Sequence, residues 1–432
     1  MSRVVSADWV LPVEGAPIER GAVAIENGLI AAVGTIDELG AGEHHPGSVI
    51  APGFVNAHSH LEYAVYAGFG DGLEFAPWLE LHMIRKRRLD LEDMLAIARL
   101  GAAQCLASGI TTTGDASFSG AAAAAMDELG LRGIVYLEAF GDELANDELR
   151  SRVASGLSER VRVGLSPHAP YTATPALYRA CVDTGLPVAT HLAESPAEEE
   201  WLVHGGGPMT SFAHMLPAPL GETGIRALAR AGALRPSMVA AHCVTVDSEE
   251  IGLLAEHGVA VAHCPRSNAL LGCGIAPLHD LRAAGIRVGL GTDSPASTPS
   301  FDMFAELRAA VFAARARERR PDALSAAEAL ELATLGSARA LGLDDEVGSL
   351  VPGKHADLTV VSLDASSYFP WEDPAAALVF GGSPQSVTTT LVDGEARYER
   401  GGFRWQELKR SATSARRRML ATASGPVAAS PR

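Results

Sequence analysis

Lysine is almost missing from this chain. Only Lys86, Lys354 and Lys409 occur among 432 residues, and arginine supplies the rest of the 35 basic side chains. Basic residues are also outnumbered, which leaves a formal net charge of −17. That balance argues against a nucleic-acid polyanion as the main partner. Cysteine is scarce and scattered: Cys105, Cys181, Cys243, Cys264 and Cys273, with no C-x-x-C pair. An odd, dispersed set excludes a disulfide framework and leaves buried reduced thiols. No stretch approaches about 18 uninterrupted apolar residues, so no membrane span is expected. The first fifteen residues lack a charged segment followed by an apolar one, so no signal peptide is expected, and the reducing cytoplasm is the expected compartment. A repeat of fixed period is absent.

What is present is apolar material in a particular order. Apolar residues make up 47% of the chain and charged residues 20%, which suits a large folded core. The first fifty residues read as β structure, with runs at Val4–Leu11 and Gly21–Gly34, an Asn27-Gly28 turn, and a loop from Gly40 to Gly47. Eight short apolar runs follow: Val49–His60, Gly109–Asp115, Gly133–Phe140, Val161–His168, Pro187–Leu192, Met238–His242, Val259–His263 and Arg287–Thr292. Helical stretches such as Leu91–Ala107, Ser248–Glu256 and Met303–Arg317 separate or follow them. Eight strand–helix alternations fit a closed (β/α)₈ TIM barrel. A doubly wound sheet would need a Gly-rich phosphate turn after its first strand, and none is there. After a helix at Ala326–Leu341, β character returns at Ala356–Ser362 and Val387–Tyr398. The expected organisation is a barrel over residues 51–344 and a small β-sandwich domain from both chain ends (1–50 and 345–405). A tail at 406–432, partly helical and then disordered, completes it.

Barrel enzymes place reactive side chains at the C-terminal ends of strands. The first run closes on His58-Ser59-His60, and residues i and i+2 of a strand share a face. The fifth closes on His191 and the eighth on Asp293. Each has an ordinary structural reading by itself: a core histidine, or a helix N-cap for Asp293, since Ser294 and Pro295 follow. Together they form a mixed nitrogen and oxygen shell suited to one divalent metal, Zn²⁺ before Fe²⁺, with a position left for water. Glu194, three residues beyond His191, can carry a proton between water and a leaving nitrogen. His242, closing the sixth run, can orient water or polarise a developing oxyanion. His263 closes the seventh in the same way and is read as structural. The Arg85-Lys86-Arg87-Arg88 run reads as a solvated helix face or loop. The fourth run, Val161–His168, holds no lysine to bridge two metals, which favours a mononuclear site. The H-x-E and P-C-x-x-C pattern of zinc cytidine deaminases is absent as well.

These residues resemble the amidohydrolase superfamily, in the branch of cytosine, guanine and adenosine-analogue deaminases and triazine hydrolases. The resemblance runs through Ala51-Pro52-Gly53-Phe54-Val55-Asn56-Ala57-His58-Ser59-His60 and Ser166-Pro167-His168-Ala169-Pro170-Tyr171. It continues through His191-Leu192-Ala193-Glu194, Ala241-His242-Cys243, His263-Cys264-Pro265-Arg266-Ser267-Asn268, Gly291-Thr292-Asp293-Ser294 and Gly348–Leu358. It implies that His58, His60, His191 and Asp293 bind one metal, that Glu194 shuttles the proton and that His242 faces the oxyanion. It gives Asp293 a second role as acceptor of the water's proton. For an aminated heterocycle or nucleoside it implies contacts from His168, Ser294 and a covering loop at Phe75–His82, with Trp78 against the ring. Glu62 or Glu80 would bind ribose hydroxyls or ring nitrogens. It allows a homodimer. The variant His58-Ser59-His60-Leu61-Glu62-Tyr63 resembles aminodeoxyfutalosine deaminases of menaquinone biosynthesis first. Adenosine, methylthioadenosine and S-adenosylhomocysteine deaminases come next, and guanine deaminase or triazine hydrolases stand further off. Other hydrolyses on the same site, such as loss of chloride, are the alternative activity.

Overall fold

The computed structural model describes residues 2–144 and 155–421. Two sheets organise them. The first collects both chain ends: β1 (Ser2–Val10), β2 (Ile18–Glu19), β3 (Gly21–Glu26), β4 (Leu29–Thr35), β5 (Glu43–Pro52), β14 (Leu358–Ser362), β15 (Val387–Val392) and β16 (Glu395–Glu399). Its order is β16-β15-β14-β5-β1-β3-β4, with β2 paired to β1. The β1–β5 pair is parallel and its other pairs are antiparallel. The expected sandwich is therefore, in its hydrogen bonding, one continuous mixed sheet. One face carries its own apolar cluster, including Val5, Val23, Ile50, Leu358 and Leu391. Val49, Ala51, Val361 and Val387 join the main core instead, as side-chain alternation along a strand requires.

The second sheet holds β6 (Phe54–Ser59), β7 (Ile110–Ser117), β8 (Arg132–Ala139), β9 (Val161–Pro167), β10 (Val188–Leu192), β11 (Met238–His242), β12 (Ala260–His263) and β13 (Val288–Leu290). These strands are parallel and neighbour one another in chain order. The ends of the sheet meet: Ser59 and Asp293 form a parallel bridge, and Asp293 N donates to the His58 carbonyl at 3.0 Å. Asn56 binds Thr292 through both amide atoms, donating at 2.8 Å and accepting at 2.9 Å. The sheet thus closes as the expected TIM barrel. Small residues such as Ala57, Ala189, Ala241, Ala260 and Ala262 line its interior around Tyr136. The helix Ser337–Leu341 presses on this core so closely that a Cβ on Gly289 would lie 2.6 Å from the Ser337 Cα.

Three boundaries differ from the sequence reading. The run Val49–His60 is two strands, β5 in the mixed sheet and β6 in the barrel. They divide at Gly53, where a Cβ would lie 2.1 Å from the Thr111 side chain. Half of the expected loop at Gly40–Gly47 is β5, paired with β1. The segment Phe75–Lys86 is a helix, not a loop. At the C-terminus, Trp405–Leu420 is a helix; the disorder expected beyond it falls at 422–432, outside the described residues. All five cysteines are buried and free. Among the described residues, no helix is long and apolar enough to cross a membrane.

Candidate active site and metal centre

The barrel closure and the site are one construction. The bridge that joins β6 to the end of β13 sets Asp293 against His58 and His60, with Oδ1 3.6 and 3.5 Å from their Nε2 atoms. His191, from the end of β10, brings its Nε2 within 3.1 Å of His60 Nε2. Its Nδ1 donates to the His168 carbonyl at 2.8 Å, so Nε2 presents a lone pair to the centre. The end of β6, which carries His58 and leads into His60, is pinned by Asp115, which accepts from Ser59 Oγ at 2.8 Å and Leu61 N at 2.7 Å.

These four residues form the metal site. Their ligand atoms lie within 4.8 Å of one another, and all four residues are buried. The Nε2 of His58 is buried and has no hydrogen-bond partner among the described residues; a buried nitrogen of that kind fits the role of a metal ligand. Burial lowers the His58 imidazole to about 3 and His60 to about 4, so both are neutral ligands at pH 7. Burial pushes the Asp293 carboxyl up, but the close imidazoles of His58 and His242 outweigh it and hold the group well below its usual range. Three imidazoles and one carboxylate suit Zn²⁺.

Glu194 and His242 stand beside this set and, with Asp293, form a second close group. The turn that carries Glu194 is held by Glu198, which accepts from Ala193 N at 3.1 Å and Glu194 N at 2.7 Å. Burial raises the Glu194 carboxyl to about 8, so it holds a proton at neutral pH. His242 Nε2 lies 3.6 Å from Glu194 Oε1 and has no hydrogen-bond partner among the described residues. The backbone is strained at these positions. Ala193, His242, Cys243 and Asp293 all have positive φ, from 47° to 75°. Such conformations cost about 1–3 kcal/mol each and gather where side chains must be aimed.

A cavity of about 560 Å³ opens over the centre. His60, His191, Glu194, Asp293 and Ser294 form its floor, and Tyr63, Trp78, Phe118, Phe140 and Tyr171 supply aromatic wall. His168 lines it too, stacked on Phe140 at 5.1 Å. Trp78 is fixed by its Nε1, which donates to the Ala296 carbonyl at 3.1 Å.

Two residues expected against the substrate do not line this cavity. Glu62 is buried but does not line the cavity; its carboxylate accepts from Ser117 Oγ at 2.5 Å, Ser119 Oγ at 2.8 Å and the Phe118 and Ser119 amides. That loop uses its acceptor capacity. Glu80 is exposed, on the outer side of the helix Phe75–Lys86. One charge moves the other way. Lys86, read as part of a solvated run, lines the cavity with its Nζ 3.5 Å from Glu138 and 4.1 Å from the Phe118 ring centroid. Neither Lys86 nor Glu138 carries a local signal; both follow from where that helix docks. His263 stays outside the metal group and the cavity, in keeping with its structural reading.

Known proteins share this architecture along most of the chain. The amidohydrolase family model matches residues 49–397. A 5-methylthioadenosine/S-adenosylhomocysteine deaminase of Moorella thermoacetica is 34% identical over 91% of this chain and 93% of its own. A 5'-deoxyadenosine deaminase of Methanothermobacter thermautotrophicus is 33% identical, over 87% and 89%. Among solved structures, a zinc-bound adenosine deaminase from Xanthomonas campestris superposes with a TM-score of 0.87 at 28% identity, covering 96% of this chain and 98% of that one. A zinc-complexed atrazine chlorohydrolase from Arthrobacter aurescens reaches 0.82 at 25% identity, covering 95% and 99%.

Proposed function

Because this chain belongs to the amidohydrolase family, we propose that it hydrolyses the 6-amino group from an adenosine-type nucleoside. Methylthioadenosine, S-adenosylhomocysteine and 5′-deoxyadenosine stand ahead of aminodeoxyfutalosine. The observation that carries the reaction is a buried carboxyl, Glu194, beside a four-residue metal site at the floor of an aromatic-walled cavity. The order of substrates follows the names of the relatives at 33–34% identity. Aminodeoxyfutalosine and a menaquinone role rest on the His58–Tyr63 variant alone.

A divalent cation in this site supplies Lewis acidity and makes water acidic enough to ionise near neutral pH. The chain's own groups do the rest. The aromatic wall accepts a planar base and keeps bulk water out. Glu194 delivers its proton to the nitrogen that leaves as ammonia and regains one from water. His242, with its Nδ1 hydrogen committed to Asn268 Oδ1, offers the Nε2 lone pair to a hydrogen of the attacking water and so orients it. His168 and Ser294 border the same space.

The test is loss of the adenine absorbance band with methylthioadenosine, S-adenosylhomocysteine, 5′-deoxyadenosine, adenosine and aminodeoxyfutalosine in separate assays of zinc-loaded enzyme. The expected result is turnover of at least one of the first three, abolished in Glu194→Gln. Silence with all five, in protein holding one metal per chain, overturns the adenosine-type reading and directs the search to guanine and triazine rings.

A further inference from the structure

No step above uses the short turn Pro265–Leu270 that follows β12. Two adjacent residues in it, Ser267 and Asn268, are buried and reach the two groups that flank the reaction centre. Ser267 Oγ donates to Asp293 Oδ2 at 2.6 Å. Asn268 Oδ1 accepts from His242 Nδ1 at 2.9 Å. The turn is anchored from behind. Arg266 N donates to Glu306 Oε1 at 3.0 Å, and its guanidinium reaches the Asp302 carbonyl at 3.0 Å and the Ser300 carbonyl at 3.3 Å.

We propose that this turn is the positioning element of the site: Ser267 decides which oxygen of Asp293 faces the metal, and Asn268 fixes the ring of His242. The two oxygens of a free carboxylate are equivalent. Here Oδ2 also accepts from Ser297 Oγ at 2.6 Å, so two hydroxyl donors occupy it. Only Oδ1 remains directed at His58 and His60. Asp293 would then offer the cation one oxygen, and the second role that the family resemblance gives it, taking the water's proton, would have to compete for that same atom, which leaves proton traffic to Glu194. On the other side, an amide oxygen on Nδ1 requires a hydrogen there, which turns Nε2 of His242 towards Glu194. Asn268 Nδ2 has no partner among the described residues. The reversed amide would satisfy it and place the hydrogen on Nε2 instead, so the orientation is itself testable.

The two halves are tested separately. Zinc affinity is read by competition with a chromophoric chelator on the full chain, without substrate. Ser267→Ala and Ser297→Ala are expected to weaken zinc about 10-fold or more each, the double variant further, and Ser267→Thr to restore it. Unchanged affinity in a folded double variant overturns this half; if the double variant does not fold, Ser267→Cys, similar in size but a weak donor, takes its place. The Asn268 half rests on the deaminase reading. Asn268→Leu is expected to lower kcat about 10-fold or more with KM and zinc affinity unchanged, and to alter the ¹⁵N tautomer signature of His242. Asn268→Asp keeps the acceptor and should stay near wild type. Wild-type kinetics in Asn268→Leu, or equal damage in Asn268→Asp, overturns it. Zinc affinity needs no substrate, so failure of the Ser267 half is distinct from failure of the substrate assignment.

Discussion

The two ends of the barrel treat buried charge in opposite ways. At the N-terminal end, Arg132 opens β8 and is met by carboxylates, with Nε 2.9 Å from Asp357 and Nη2 2.5 Å from Asp393. Asp393 is met in turn by His355 at 2.7 Å and Arg160 at 3.4 Å, and its amide donates to Asp357 at 2.9 Å. These pairs tie the barrel to the mixed sheet, and each charge has a partner. At the C-terminal end, the buried imidazoles of His58, His60, His191 and His242 gather around Asp293, and the backbone turns left-handed at His242 and Asp293 to aim them. One end is built for cohesion. The other converges its polar groups on one centre, where a cation and a substrate would be held. If that contrast is sound, activity and stability separate between the ends.

The largest separation is expected at Glu194. Glu194→Gln should lower kcat by about 10²–10⁴ because it removes the proton carrier. Its melting temperature should hold or rise, since an uncharged amide replaces a group that burial already keeps protonated. Ammonia release and calorimetry on the same preparation check both. A large fall in melting temperature would break the contrast. Arg132→Met tests the other end. It leaves Asp357 and Asp393 short of their partner, a loss of about 3–5 kcal/mol in denaturant unfolding. The kcat/KM of the molecules that remain folded should not change.

The same contrast governs what could be read from the sequence. The metal ligands were legible because two rules suffice for them. Strand periodicity puts His58 and His60 on one face, and barrel chemistry sits at strand ends. Glu194 followed from His191 by proximity. Residues fixed by tertiary docking were not legible. Lys86 sits among arginines, so local charge suggests solvent, yet the helix Phe75–Lys86 docks it beside Glu138. Glu62 follows the metal motif closely enough to suggest substrate, but the loop at 117–119 takes its carboxylate. The break at Gly53 was hidden because the residues on either side of it, Val49 to Pro52 and Phe54 to Val55, are apolar and buried alike. Left-handed backbone at His242 and Asp293 has no compositional sign, since neither is glycine.

Metal removal sharpens the comparison at an intermediate size. A cation that binds the folded chain stabilises it by about 2.7 kcal/mol when free metal is about 100 times the dissociation constant. Chelation should remove that increment, and re-addition of zinc should restore it, in thermal unfolding. The increment should persist in Arg132→Met, because that residue lies at the far end, and vanish in His191→Ala. An increment lost in both variants would mean that the two ends unfold as one coupled network.

The smallest effect expected is a pH dependence confined to the N-terminal end. Burial raises the Asp393 carboxyl, but the hydrogen bond from His355 and the Arg132 guanidinium outweigh it and hold the group well below its ordinary 3.8. A carboxyl depressed in the folded state stabilises the protein at pH values above its ordinary range, and this contribution is lost as pH falls towards the folded value. Wild-type stability should therefore decline below about pH 4 with a slope that Asp393→Asn reduces. The comparison is made on metal-free protein, so that loss of zinc does not add its own acid dependence, and the protonation of His58 and His60 in the same range is common to both proteins and cancels in the difference. An unchanged slope in Asp393→Asn would place the acid sensitivity elsewhere and remove Asp393 from the junction's cohesion.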